Sequence, residues 1–171
     1  MNTDWAHIYE TTLDDLVRYL DRKVWDPERA RDLAQEAFVR ALRSSADPDS
    51  PRAWLFTVAG NLARDEARSA GRKKRHLELI TVEAADQTEQ PDGTDDMEME
   101  CRRSAVRAAL DQLSERDREI LLLWDAGLSY TEIAEKSGLS VGAIGTTLAR
   151  ARRRLVDAHH GGGEGAHVAH I

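Results

Sequence analysis

One cysteine, few aromatics and no long apolar run set the first limits on this 171-residue chain. Cys101 has no second thiol to pair with, so an internal disulfide is excluded, and one thiol is too few for a structural zinc site. Phe, Trp and Tyr make up 5% of the residues, which suits small helical modules with modest cores. Strand signals are nearly absent: a run such as Leu79–Ile80–Thr81–Val82 is too brief and isolated to build a sheet. No segment approaches the apolar length of a membrane span, and Met1–Asn2–Thr3–Asp4 does not start a basic-then-apolar export signal. A cytoplasmic protein without membrane insertion is expected. No Ser/His/Asp set, Gly-rich phosphate loop or carboxylate pair falls on a foreseeable scaffold, so no catalytic residues are expected. His159, His160, His167 and His170 lie in a Gly-rich stretch that gives no rigid ligand geometry, so no metal and no cofactor are expected either.

The formal net charge of −7 argues at first against nucleic acid, but its distribution reverses that argument. Residues 1–76 carry 14 basic and 13 acidic side chains, and residues 101–157 carry 10 and 8. Residues 77–100 carry 9 acidic side chains and no basic one. The acidity sits in one segment between two near-neutral blocks with clustered arginines, and local clusters decide whether a face can meet phosphate.

The first block, 1–76, reads as three helices. Leu13, Leu16, Val17, Leu20 and Val24 form one apolar stripe at helical spacing. Asp26–Pro27 opens a second helix as N-cap and first helical residue, with Ala30, Leu33, Ala34, Ala37, Phe38 and Ala41 inward. After turn-forming Ser44–Asp49, Ser50–Pro51 opens a third, with Leu55, Val58, Ala59 and Leu62 inward and an expected end near Ala70, before Gly71. Segment 77–100 has linker composition and is expected to be flexible. The second block, 101–158, has a helix on Val106, Ala109, Leu110 and Leu113. The next is capped by Ser114, carries Ile120, Leu123 and Trp124, and ends at Gly127. A short helix has Ser129 and Glu132 as its capping box, and after Gly138 a last helix capped by Ser140 reaches about Ala158. The tail 159–171, rich in Gly and His, is expected to be disordered. The fold class expected is all-α: two small helical domains joined by an acidic linker.

Three segments carry function. From Tyr130 to Leu148 the spacing is that of a helix-turn-helix: small Ala134, Gly138 at the turn, then Leu139, Ile144 and Leu148 as anchors. The outer face of its second helix then holds Thr146, Arg150 and Arg153, whose hydroxyl and guanidinium groups suit base edges and phosphates. An ordinary helical hairpin with solvated arginines is the plainer alternative. In the third helix Asn61, Arg64, Arg68 and Arg72 share one face, followed by Lys73, Lys74 and Arg75. Trp54 and Phe56 either meet an unstacked base or belong to the core. In the second helix Asp32, Gln35, Glu36 and Arg40 lie outside the apolar stripe, and physics alone gives them no role beyond a solvated face.

Together and in this order, the three segments resemble the extracytoplasmic-function (ECF) group of sigma factors in the sigma-70 family. Asp32–Leu42 is similar to the region 2 helix that binds the β′ clamp helices of core RNA polymerase, which implies a polymerase surface at Asp32, Gln35, Glu36, Phe38 and Arg40. Pro51–Asp65 resembles the −10 recognition helix, implying promoter contacts at Trp54, Asn61, Arg64, Arg68 and Arg72. Ala109–Leu155 resembles region 4, implying −35 contacts at Ser140, Gly142, Thr146, Arg150 and Arg153 and a second contact with the β flap. The resemblance also implies that a base leaves the −10 stack for a pocket at loop Ser44–Pro51 supported by Asn61, at a cost of a few kcal/mol. It implies an anti-sigma protein as regulator, and a protein that reaches the nucleoid through polymerase. Three departures stand out: Ser114 replaces a common proline, loop 44–51 is short and lacks aromatic and basic residues, and Ile144–Gly145–Thr146–Thr147 lacks the usual basic residue. A freestanding helix-turn-helix repressor would ordinarily dimerise on a two-fold site; nothing in the sequence resembles a dimerisation helix, and the first block would have no purpose.

Overall fold

A computed structural model describes the backbone of residues 3–80 and 94–164, and the side chains of 3–76 and 95–161. The described residues form seven α-helices and no strand. They fall into two compact units, residues 1–83 with 122–141, and residues 84–121 with 142–171. No helix among the described residues is long and apolar enough to cross a membrane.

The first unit is built on α1 (Trp5–Val24), α2 (Pro27–Arg43) and α3 (Pro51–Ile80). Asp4 caps α1 by accepting from the backbone N–H of His7 at 3.1 Å. The helix ends on Trp25, a left-handed residue at φ 58° whose N–H donates to the Asp21 carbonyl at 2.8 Å. That conformation costs a residue with a Cβ about 1–2 kcal/mol. The Arg22 guanidinium, 5.5 Å from the Trp25 ring centroid, offsets part of it. Asp26 then caps α2 as the sequence predicts, accepting from the N–H groups of Glu28 and Arg29, with Pro27 at the first helical position.

The inward stripe of α1 is rotated from the expected one. Leu16 and Leu20 are fully buried, but Thr12 and Tyr19 join them, while Leu13, Val17 and Val24 are half-buried. The cause is that α1 packs on both α2 and α3, so its covered arc is wider than one stripe. α2 meets this pair with small residues, Ala30, Ala34, Ala37 and Ala41, and with Leu33 and Phe38, all buried. Edge-on aromatic pairs join the layers, Tyr9 to Phe38 at 4.9 Å and Tyr19 to Phe56 at 5.1 Å. Gly60 leaves room for the Tyr19 hydroxyl: a Cβ there would lie 2.8 Å from it. The short α6 (Tyr130–Ser137) packs on α3 in the same unit, and its capping box of Ser129 and Glu132 is formed. Arg52, at the second position of α3, donates to Asp15 at 2.9 Å and to the Gly127 and Ala126 carbonyls at 2.9 and 3.1 Å.

The second unit contains α4 (Thr94–Asp111), the first part of α5 (Glu115–Asp125), and α7 (Val141–Glu164) apart from its first residue. Its core is Ala109, Leu110, Leu113, Ile120, Ile144, Leu148 and Ala151. Ser114 caps α5 by accepting from the Asp117 N–H at 3.1 Å. Gly127 and Gly138 hold φ of 80° and 71° at the ends of α5 and α6, as their expected turns require.

Helix boundaries differ from expectation at three places. α3 runs through Gly71 to Ile80 instead of ending near Ala70. A mid-helix glycine costs about 1 kcal/mol, which the helix-forming Arg, Lys, Leu and Glu around it outweigh. α4 begins at Thr94 with Asp95 and Asp96 in its first turn, where carboxylates favour the helix dipole, ahead of the expected start near Glu100. α7 continues past Ala158 to Glu164, so the helix extends into the expected tail. The rest of the expected tail, 165–171, and the middle of the expected linker, 81–93, lie outside the described residues.

Candidate nucleic-acid interface

The candidate contacts rest on helices whose opposite faces are core. On α3, Ala53, Leu55, Phe56, Ala59, Leu62 and Ala63 point inward, which leaves Asn61, Arg64, Arg68 and Arg72 exposed along the other side. Arg64 donates to the Asn61 carbonyl oxygen at 3.2 Å, so amide and guanidinium stand together at the head of this stripe. Of the two aromatics whose placement the sequence left open, Phe56 is fully buried against Tyr19 and is core. Its spacing with Ala53, Ala59 and Ala63 was the available signal. Trp54 is half-buried, its ring 5.8 Å from that of Trp5 at the start of α1.

Loop 44–50, between α2 and α3, borders an open hollow of about 600 Å³ lined by Ser44, Ser45, Ala46 and Asp47 and by Thr3–Ala6. The Thr3 hydroxyl donates to Asp47 at 2.6 Å and holds that carboxyl below its ordinary range. Trp54 and Asn61 do not line this hollow; Trp54 lines a second one, with Pro48, Asp49 and Ser50. Loop 44–50 runs into α3, and Trp54 and Asn61 stand on the first three turns of that helix.

On α2, Asp32, Gln35, Glu36 and Arg40 are exposed, with Glu36 and Arg40 paired at 2.9 Å. Phe38 differs from its four companions. At 4% exposed it belongs to the core, because its position on α2 coincides with the alanine stripe. Its outer edge borders an apolar groove with Tyr9, Val39 and Leu42, three side chains more than a third exposed.

On α7, Ile144, Thr147, Leu148 and Ala151 are buried, and Gly142, Thr146, Arg150 and Arg153 are exposed on the other side. Ser140, just before the helix, is also exposed. Gly145 is half-buried on the flank. Arg150 is tied down: its Nη2 lies 3.3 Å from Asp117, and Arg154 Nη1 is 2.5 Å from the other oxygen of the same carboxylate. The sequence reading missed the pairing of Asp117 with α7, since the local pattern at Asp117 is that of the Ser114 cap three residues before it. It also placed Trp124 inward, whereas Trp124 is 42% exposed and Leu121 and Leu122 are buried in its stead.

Two family profiles match the chain in order, sigma-70 region 2 over residues 8–73 and sigma-70 region 4 over residues 103–155. Among curated proteins it is 32% identical to the RNA polymerase sigma factor YlaC of Bacillus subtilis, over 86% of this chain and 87% of that protein. It is 39% identical to the ECF RNA polymerase sigma factor EcfG of Rhodopseudomonas palustris, over 75% of this chain and 70% of that one. Among solved structures it is similar to the sigma factor RpoE from Bartonella quintana in complex with the anti-sigma factor NepR, at 26% identity and TM-score 0.63, covering 91% of this chain and 96% of that one. It is likewise similar to CnrH in complex with the cytosolic domain of CnrY, at 25% identity and TM-score 0.63, over 90% and 85% of the two chains.

Proposed function

The chain belongs to the extracytoplasmic-function group of the sigma-70 family, and from that premise we propose how its exposed faces divide the work of starting transcription. As a sigma factor it binds core RNA polymerase and directs promoter recognition and melting. It is a specificity subunit, and the polymerase carries out the bond-forming chemistry. The observation that carries the residue-level reading is the outward polar face on each of two helices, α3 in the segment matching region 2 and α7 in the segment matching region 4.

Region 2 occupies residues 1–76 and region 4 residues 101–158, with the acidic segment 77–100 between them. Asp32, Gln35, Glu36 and Arg40 meet the β′ clamp helices, with Phe38 supporting that surface from beneath. Region 4 docks Ser140, Gly142, Thr146, Arg150 and Arg153 into the −35 major groove and touches the β flap. Loop 44–50 takes a base extruded from the −10 element, Asn61 and Trp54 flank it, and Arg64, Arg68 and Arg72 hold the adjoining backbone. The protein works in the cytoplasm and reaches the nucleoid through polymerase. An anti-sigma protein regulates it. In support, two solved relatives of similar fold are each complexed with such a protein or with a partner's cytosolic domain.

Run-off transcription with purified core polymerase and the full chain tests the reading. A discrete set of start sites, absent with core alone, is expected. A chain that dimerises, binds DNA without core and yields no promoter-dependent transcript would overturn it.

A further inference from the structure

The second unit contains a buried carboxylate that the scheme above leaves without a task. Asp117 is 1% exposed, and a charge at that depth persists only with paired cations. Two are present. Arg150 and Arg154 stand four residues apart on α7, a spacing at which like charges repel. They nevertheless converge on the two oxygens of Asp117, at 3.3 and 2.5 Å. The pairs are unequal. Arg154 makes the short one, while Arg150 makes the long one with its side chain 48% exposed. A guanidinium has five N–H donors, so a single contact with the carboxylate leaves Arg150 donors for a ligand.

We propose that Asp117 is a positioning residue for promoter reading, fixing the guanidinium of Arg150 at the outer face of α7 while Arg154 supplies the charge that lets the carboxylate stay buried. The proposal rests on the reading of α7 as the −35 helix. Guanine is read by two parallel N–H bonds in one plane, so a fork already held in orientation loses less freedom on binding. Attraction to phosphate depends on charge and hardly on orientation. Removing the acid should therefore damage discrimination between sequences and spare generic affinity. A purely structural acid would give the opposite pattern, with lower stability and unchanged discrimination.

The experiment measures holoenzyme binding to a panel of −35 variants across a salt series, with thermal unfolding of each full-length variant alongside. Arg150→Ala should lower the ratio of best to worst site. Asp117→Asn should lower it about 3–10-fold at unchanged salt slope, and the double variant should discriminate no worse than Arg150→Ala alone. Arg154→Ala leaves Asp117 to Arg150, so it should keep the ratio within about twofold while lowering thermal stability. If Asp117→Asn does not fold, this variant carries the test, and a ratio falling to the Arg150→Ala level overturns the proposal. The proposal also falls if Asp117→Asn leaves the ratio intact, or if its loss adds fully to that of Arg150→Ala. If Arg150→Ala itself leaves discrimination unchanged, the −35 reading of Arg150 has failed, an outcome distinct from failure of the positioning role.

Discussion

On the proposed reading the arginines of α3 and those of α7 meet the same kind of polymer, but they stand under different restraints. Those of α3 stand on an exposed stripe, and their head group, Arg64, has a contact three residues away at Asn61. On α7, Arg150 and Arg154 are drawn to an acid 33 and 37 residues distant in sequence and almost fully buried. A phosphate backbone presents charge at every step, so a cation that follows it needs reach and no fixed angle. A base edge presents donors and acceptors in one plane, so a cation that reads it gains from being held. On the proposed reading, the long-range pairing with a buried acid belongs to the second task.

The largest expected effect separates the two faces of α3. Phe56→Ala removes a fully buried ring packed on Tyr19 and should lower stability by about 3–5 kcal/mol, read from denaturant unfolding. Gly60→Ala should cost about 1–3 kcal/mol, since its Cβ would press on the Tyr19 hydroxyl. Arg68→Ala on the opposite face should leave the unfolding midpoint nearly unchanged. An Arg68→Ala loss as large as that of Phe56→Ala would mean that the stripe belongs to the fold.

Next comes the contrast between the helices. Arg150→Ala should remove about 1–3 kcal/mol of discrimination at one −35 position. Arg68→Ala should weaken binding uniformly across sequences and reduce the log–log salt slope by about one unit. The comparison breaks if Arg68→Ala proves sequence-selective or Arg150→Ala proves uniform. Asn61→Ala sharpens it at the head of the α3 stripe: open-complex formation, followed by permanganate reactivity of unpaired thymines, should fall more than closed-complex affinity.

Legibility from sequence followed the range of the interaction. Caps were readable because their chemistry closes within three residues: Asp26 on Glu28 and Arg29, Ser114 on Asp117, Ser129 with Glu132, and glycines at the two positive-φ turns. The charge faces of α3 and α7 were readable from period alone. Phe56 was legible too, by its spacing with Ala59 and Ala63, but its aromatic character invited a base-facing role. Phe38 was placed at once in the apolar stripe and on the polymerase surface, and burial decides between them. Trp25 as a left-handed cap was not foreseeable, because a local rule disfavours it and packing overrides that rule. The pairing of Asp117 with α7 was invisible in principle to a reading of periods and caps, since no short-range pattern links residues more than thirty apart.

The smallest expected effect tests where the outer face of α7 lies. That helix lacks the basic residue usual after Ile144, and its two early glycines are not equivalent. Gly145 is half-buried on the flank. Gly142 is exposed, shares the face of Thr146, Arg150 and Arg153, and a Cβ there would meet nothing within 4 Å. Gly142→Arg should therefore be sterically free. It exchanges a poor helix former for a good one, a gain of up to about 1 kcal/mol, against a few tenths for placing a cation in the first turn. Stability should stay level or rise slightly. On DNA the added guanidinium can reach a phosphate, so affinity should increase across all −35 variants and the log–log salt slope should steepen by about 0.9. Discrimination, which the proposal assigns to Arg150, should not change. Gly145→Arg, measured beside it, should steepen the slope less, because its side chain leaves from the flank. If Gly142→Arg leaves the slope unchanged while Gly145→Arg steepens it, α7 meets DNA on a different arc, and the assignment of Thr146, Arg150 and Arg153 must rotate with it.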